Sequence, residues 1–270
     1  MPQSLTGIGI ALLDNITPLI ITCDEAPNIR RTINKLSWAR RIVVVDSGST
    51  DETLEILQTY SQVEVLHRPF RDFASQCNFG LTQIKTPWVL SLDADYELSD
   101  SLVKELQALA PAKETVGYRA QFVYRIHGRP LRGSLYPPRI VLYRKDQATY
   151  RNEGHGHRVS IGGTVLSLAS PIYHDDRKSL AHWFASQQRY ARREAEHLLT
   201  SDRTALARNE RIRLAAWPAP LAVLVYTLIV KGCLLDGWPG WFYALQRMLA
   251  ETMIALEIID RRLGRDKKQA

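Results

Sequence analysis

The sequence predicts an α/β protein with a mostly parallel central sheet flanked by helices, and three observations carry that expectation. Apolar, strand-like runs alternate with helix-like segments four times between residues 17 and 95, the pattern of a doubly wound sheet. Three of these runs end in carboxylate-bearing loops, at Asp24 and Glu25, at Asp46, and at Asp93 with Asp95. Strands that point one way gather such loops along one edge, where open parallel sheets bind ligands. Finally, 270 residues with 45% apolar content are enough to bury a full core.

Taken in order, Thr17 to Thr22 reads as a first buried strand and Cys23 to Asn28 as a polar loop. A helix follows from about Asn28 to Trp38, with Ile29, Ile33 and Leu36 inward. Arg41 to Asp46 is a β-branched run that ends on a carboxylate. Gly48 then allows a sharp turn, and Ser49 or Thr50 is placed to cap the helix continued by Glu52 to Tyr60. Val63 to Leu66 is a short third strand and Phe73 to Ile84 a third helix. Trp88 to Asp95 is the fourth strand, running out into Asp-x-Asp. Carboxylates at i and i+2 beyond a strand can hold a divalent ion on a phosphate; the same pair can also be a solvated turn. No G-x-G-x-x-G follows the first strand and no P-loop occurs, which argues against dinucleotide enzymes and P-loop ATPases.

Three scattered cysteines, Cys23, Cys77 and Cys233, form no metal or disulfide framework and point to a reducing compartment. Residues 1–14 read as a loose leader; the apolar run Ile8 to Leu13 has no basic stretch before it, unlike a cleaved signal. The net charge of +7 suggests an anionic partner. Arg189, Arg192, Arg193, Arg203, Arg208, Arg211 and Arg213 precede an apolar segment, while Arg261, Arg262, Arg265, Lys267 and Lys268 close the chain. That placement fits a cytoplasmic membrane surface better than nucleic acid.

Four motifs carry a resemblance: Thr22 to Ile29, Val43 to Thr53, Phe73 to Asn78, and Leu90 to Asp95. In order and spacing they resemble the family 2 glycosyltransferases of the GT-A fold, and among them enzymes of the bacterial lipopolysaccharide-core glucosyltransferase type. The resemblance implies inverting transfer from a nucleotide-sugar donor, most simply a UDP-sugar, with Mg²⁺ or Mn²⁺ as cofactor. It implies that Thr22 and Glu25 lie along the nucleotide, that Asp46 accepts a hydrogen bond from the base, and that Arg71, Gln76 and Asn78 line the same pocket. Asp93 then faces the ribose and metal, and Asp95 ligates the ion across the diphosphate.

Beyond the fourth strand, Ser99 caps a helix to about Ala110, and Val116 to His127 reads as one strand with mixed faces. Arg119, Arg125, Arg129, Arg132, Arg139 and Arg144 are interleaved with Tyr118, Phe122, Tyr124, Tyr136 and Tyr143. They could clamp an acceptor or be a solvated strand face. Tyr150 to Val159 is a second functional stretch. An inverting transferase needs a general base, and where its relatives carry His-Glu this chain has His155-Gly156-His157. Glu153 and His155 lead as catalytic candidates beside Asp95, with His157 next, and His155 is also a candidate metal ligand. His174 competes with it for the metal, and Arg177 is placed to meet the pyrophosphate; Asp175 and Asp176 could instead cap the helix beginning near Leu180.

Leu180 to Leu199 is helical. Leu214 to Val230 is seventeen uncharged residues with Pro218 and Pro220 near the start, marginal for a span and suited to a re-entrant or interfacial segment. A Trp-rich turn leads to an amphipathic helix from Phe242 to Ile259. The alternative is a helical hairpin buried on the catalytic domain. The domain reading is a leader at 1–14, a catalytic domain at 15–200 that divides near 98 into nucleotide and acceptor halves, and an apolar helical appendage at 201–270 that associates with the membrane. The expected function is transfer of a sugar to a glycan or lipid-linked acceptor in cell-envelope synthesis, at the cytoplasmic face of the membrane. Its rivals are a sugar nucleotidyltransferase, whose Gly-rich phosphate loop is missing here, and a non-catalytic binding protein on the same scaffold.

Overall fold

The computed structural model describes residues 12–153, 156–204 and 206–269, the side chains at 153, 156, 157 and 265–269 excepted. The chain forms two compact units. The first consists of residues up to Phe122, with Pro137–Arg151 and Arg158–His174. Its early part runs β1 (Ile16–Thr22), α1 (Ile29–Asn34), β2 (Ile42–Asp46), α2 (Thr53–Gln58), β3 (Val63–His67), α3 (Phe73–Gln83) and β4 (Trp88–Asp93). Every expected strand and helix of this stretch is present. Helix α1 stops at Asn34 rather than Trp38, yet Leu36 in the following turns is fully buried as its spacing predicts.

These four strands are parallel in the order β4-β1-β2-β3. The chain steps from β1 to β2 to β3, then returns past β1 to set β4 on its other side. Right-handed crossovers therefore place α1 and α2 on one face and α3 on the other. Packing agrees: Ala74, Cys77 and Leu81 of α3 share a buried cluster with Leu19, Val43, Val45 and Val89. Ile20, Val44 and Leu90, of opposite parity, face away. Gly80 lets α3 approach this closely, since a Cβ there would lie 2.3 Å from Leu19 Cδ1.

After β4 come β5 (Tyr96–Leu98), α4 (Asp100–Ala108, capped by Ser99 as expected), β6 (Thr115–Ala120), β7 (Phe122–Ile126) and β8 (Arg129–Pro130). Then follow β9 (Arg139–Arg144), β10 (Ala148–Glu153), β11 (Gly156–Ile161), β12 (Thr164–Ser167) and β13 (Ile172–His174). The central sheet has seven strands, β12-β6-β9-β4-β1-β2-β3, and β9 alone opposes the rest, antiparallel to both β4 and β6. The single strand expected over Val116 to His127 is in fact two. At Gln121 the chain leaves the central sheet, and the Gln121 carbonyl accepts from the N–H of Ile172 instead. Two aromatics of the basic and aromatic section, Tyr118 and Tyr143, belong to the core, and the half-buried Arg144 guanidinium stacks 4.8 Å from the Trp88 ring while donating to Thr115 O.

The second unit gathers Val123–Tyr136 and the chain from Asp175 onward. It holds the β7–β8 hairpin, α5 (Leu180–Thr200), α6 (Arg208–Leu214), α7 (Pro218–Val225), a π-helical turn (Tyr226–Val230), a 3₁₀ turn (Cys233–Asp236) and α8 (Trp238–Gln269). Ser179 caps α5, its hydroxyl accepting from His182 N at 3.2 Å. Asp175 and Asp176 therefore do not fill the capping role considered for them: Asp175 is buried on Gly128 N and Arg177, and Asp176 receives Lys178 N. Arg213 ties α6 to α5 and α8 through Glu194 (3.2 Å) and Glu251 (2.7 Å). The uncharged run is broken between α6, α7 and the π turn, and among the described residues no helix is long and apolar enough to cross a membrane.

Candidate active site

The chain departs in both directions from β1, so the crevice at the carboxyl ends of β1 and β4 is a topological switch point. Register aligns Ile21 with Asp93 and Thr22 with Asp46. Asp93, Thr22 and Asp46 thus stand on three adjacent strand tips, spread over about 10 Å at ~4.8 Å per strand. Asp95 follows in the turn between β4 and β5.

Asp46 is almost fully buried, and its carboxylate organises its own loop. It accepts from Gly48 N at 2.8 Å, Ser49 N at 3.1 Å and the Ser49 hydroxyl at 2.5 Å, with His67 Nδ1 at 3.4 Å. Gly48 sits at φ +101, which suits glycine. Neither Ser49 nor Thr50 caps α2, whose N-cap is Glu52 without a side-chain bond. Both instead lace this loop to the one after β1: Asp24 N donates to Ser49 Oγ, and Thr50 N donates to Asp24 Oδ1. Glu25 N donates to Thr53 Oγ1, and Ala26 N to Asp51 Oδ2. Partial burial raises the Asp51 pKa, but the hydrogen bonds from Thr53 and Ala26 outweigh it and hold the carboxyl below its ordinary value.

The remaining donor-side candidates divide by what they touch. Thr22 Oγ1 and Gln76 Oε1 are buried with no hydrogen-bond partner among the described residues, a state polar atoms rarely keep unless a ligand or water completes it. The Gln76 amide nitrogen meanwhile donates to Ser47 Oγ and Arg68 O. Glu25 Oε2 accepts from Asn28, and Arg71 is exposed. Asn78 is committed to the Tyr150 backbone: it donates to Tyr150 O at 3.0 Å and accepts from Tyr150 N at 2.9 Å.

Strand β13 pairs antiparallel with β5 so that His174 faces Tyr96, the residue after Asp95. His174 Nε2 consequently lies 2.9 Å from Asp95 Oδ2, and the imidazole meets the Tyr96 ring edge-on at 5.3 Å. Among the described residues no three metal-ligating side chains lie together. The Asp95–His174 pair is nonetheless a fitting start to a donor set, because Mg²⁺ and Mn²⁺ commonly take one or two protein carboxylates and complete their shell with substrate phosphates. Arg177 lies in the second unit, where its guanidinium grips Asp175 Oδ2 at 2.8 Å. The side chains of Glu153 and His157, and all of His155, lie outside the described residues.

Sequence reasoning missed His67 and the lacing of the two loops. His67 ends β3 directly beside Asp46 in register; carrying the third strand one residue past Leu66 would have found it.

A family model described as glycosyl transferase family 2 matches residues 18–169. An uncharacterized glycosyltransferase of Rickettsia bellii (strain RML369-C) is 28% identical over 203 residues, 70% of this chain and 69% of that protein. The lipopolysaccharide core biosynthesis glycosyltransferase LpsC of Rhizobium meliloti (strain 1021) is 34% identical over 138 residues, 48% of each, so the match spans about half of that relative. Among solved structures, the mannosyltransferase PcManGT from Pyrobaculum calidifontis, in complex with GDP-Man and Mn²⁺, aligns with a TM-score of 0.52 at 15% identity over 91% of this chain and 87% of its own. That likeness concerns the fold, which is GT-A. The matched residues cover more than half of the sequence and include every strand tip of the crevice: the chain belongs to glycosyl transferase family 2.

Proposed function

We propose that the protein transfers a sugar, with inversion, from a nucleoside-diphosphate donor to a hydroxyl of a glycan or lipid-linked acceptor in lipopolysaccharide or related cell-envelope synthesis. The observation that carries the reading is the placing of Asp93, Thr22 and Asp46 at the carboxyl ends of three adjacent strands at the switch point, with Asp95 two residues beyond Asp93 and paired to His174. The name of LpsC supports the envelope context, and the GDP-Man and Mn²⁺ bound to PcManGT support the donor class and the ion. A UDP-sugar is the first donor to try.

Thr22 Oγ1 and Gln76 Oε1 offer buried polar contacts to the nucleotide, and the loop organised by Asp46 presents the base-side wall. Asp95 and His174 would hold the metal, which when bound would neutralise charge developing on the departing diphosphate. Glu153, or a histidine beside it, takes the proton of the acceptor hydroxyl as that oxygen attacks the anomeric carbon opposite the leaving group.

The test is a thermal-shift screen of nucleotide sugars with and without Mn²⁺, followed by transfer assays on Asp95→Ala. A donor should stabilise the protein only with metal, and the variant should lose transfer. Undiminished turnover of Asp95→Ala in metal-replete buffer would remove the reading.

A further inference from the structure

We propose that the second unit carries a built docking surface for an anionic phospholipid bilayer, seated on its surface rather than spanning it. The first observation is exposure. Trp217 at the start of α7 is 76% exposed, Val230 in the π turn 66% and Leu235 in the 3₁₀ turn 70%. Leu221, Val225 and Ile229 between them, and Trp238, Trp241 and Leu245 at the start of α8, are exposed as well. So many exposed large apolar residues within one stretch, 217–245, are rare on a protein that faces only water.

The second observation is charge. Helix α7 turns Pro218 and Ala222, one helical turn apart, into a cleft of about 740 Å³ whose lining includes Arg208, Arg211 and Ile212. A neighbouring cleft shares Arg211 and adds Arg203 and Arg262. Neither cleft has a carboxylate among its lining residues. Leu221 and Val225, also one turn apart, lie on the adjoining face of the same helix. Exposed hydrocarbon of α7 thus lies beside clefts lined by arginines of α6 and its neighbours, the pairing that acyl chains and headgroup phosphates together require. Farther along, Lys231 lies 5.7 Å from the Tyr226 ring and Arg129 5.3 Å from the Trp238 ring. Cations stacked on exposed aromatics suit the depth where headgroups meet hydrocarbon.

The geometry favours lying in the interface over crossing it. No described helix is long and apolar enough to span, and the apolar positions are divided among a short helix, two turns and the first residues of α8. This surface is independent of the transfer chemistry. Vesicle binding is read without donor or acceptor, so its failure would leave the transferase reading untouched.

The experiment is co-sedimentation of the full chain with neutral phosphatidylcholine vesicles and with vesicles containing about a quarter phosphatidylglycerol. The wild type should bind the anionic vesicles, more weakly as salt rises, and neutral ones poorly. Ile229→Glu with Leu235→Glu should abolish binding. Arg203→Ala with Arg208→Ala should weaken it about thirtyfold, at roughly one surface cation's worth each. Thermal melting confirms that each variant folds, and donor hydrolysis should be unchanged in both. Equal binding by wild type and variants, or no binding to anionic vesicles, overturns the proposal. So does a dimer in sedimentation velocity that Ile229→Glu with Leu235→Glu dissolves while vesicles are ignored, since a second copy would then be the occupant. Equal binding to neutral and anionic vesicles overturns the arginine clefts as headgroup seats.

Discussion

His174 Nε2 lies 2.9 Å from Asp95 Oδ2 because β13 runs antiparallel beside β5 and sets His174 opposite Tyr96. Residues 79 apart in sequence are thereby fixed to one another by a three-residue ladder. A carboxylate oriented by an imidazole is pre-positioned for a cation, whether the histidine itself ligates or only orients. His174→Ala should therefore weaken Mn²⁺ activation and lower kcat/KM about 10–100-fold while leaving the metal-free thermal midpoint nearly unchanged. A Mn²⁺ titration of activity that superposes on wild type would contradict this.

Asn78 and Tyr150 form a different kind of link, a side-chain amide standing in for a strand partner. Its two bonds fix the start of β10 against α3, and the Tyr150 hydroxyl then donates to Ser91 at 2.7 Å in the buried core. Asn78→Ala strands a backbone donor and an acceptor and should cost about 2 kcal/mol in urea unfolding. Asn78→Asp keeps the acceptor but sets a carboxylate oxygen against the Tyr150 carbonyl, so its loss should be at least as large as that of Asn78→Ala. An unaltered midpoint for both variants would show that solvent replaces the amide freely.

The parallel half of the fold was legible because its signals are local. Buried strands such as Ile42–Asp46 are runs of β-branched residues, and a carboxylate closes β2 and β4, at Asp46 and Asp93. What escaped notice depends on distant partners. The break at Gln121 arises because Ile172, about fifty residues on, takes its carbonyl, and nothing in Tyr118 to Tyr124 marks the spot. Strand β5, only three residues long, shows too little pattern to be read. The caps failed for a related reason. Ser49 and Asp175 are good capping types, but each finds a tertiary partner instead, in Asp46 with Asp24 and in Gly128 with Arg177. The Asp95–His174 pair was half visible: both residues stood out as metal candidates, and only the pairing of β13 with β5 brings them together.

The laced loops make a pH prediction at Asp51. Its folded pKa lies below the ordinary carboxylate value of about 3.9, so its ionised form stabilises the native state at pH values above that ordinary value. That stabilisation is lost as pH falls through the lower, folded value. Asp51→Asn removes the titrating group and should flatten the acid limb of a plot of urea midpoint against pH, with a lower midpoint near neutrality. Parallel acid limbs for variant and wild type would show that another carboxyl governs the limb.

Cysteine reactivity separates the crevice from the core in a single experiment. Cys77 faces the buried cluster, and burial, followed by the nearby charges of Asp93 and Asp72, pushes its thiol far above the usual range. Burial and Asp236 likewise raise Cys233. Cys23 is exposed and directly follows Thr22 at the tip of β1. Because the thiolate is the nucleophile, the two buried thiols should resist iodoacetamide in the native protein while Cys23 labels. A bound donor lying along Thr22 and Glu25 should then slow labelling of Cys23, and the carbamidomethylated protein should show a raised donor KM. Peptide mapping by mass spectrometry reads the sites directly. Native labelling at Cys77 would contradict its burial, and a Cys23 rate indifferent to saturating donor and metal would move the nucleotide away from β1.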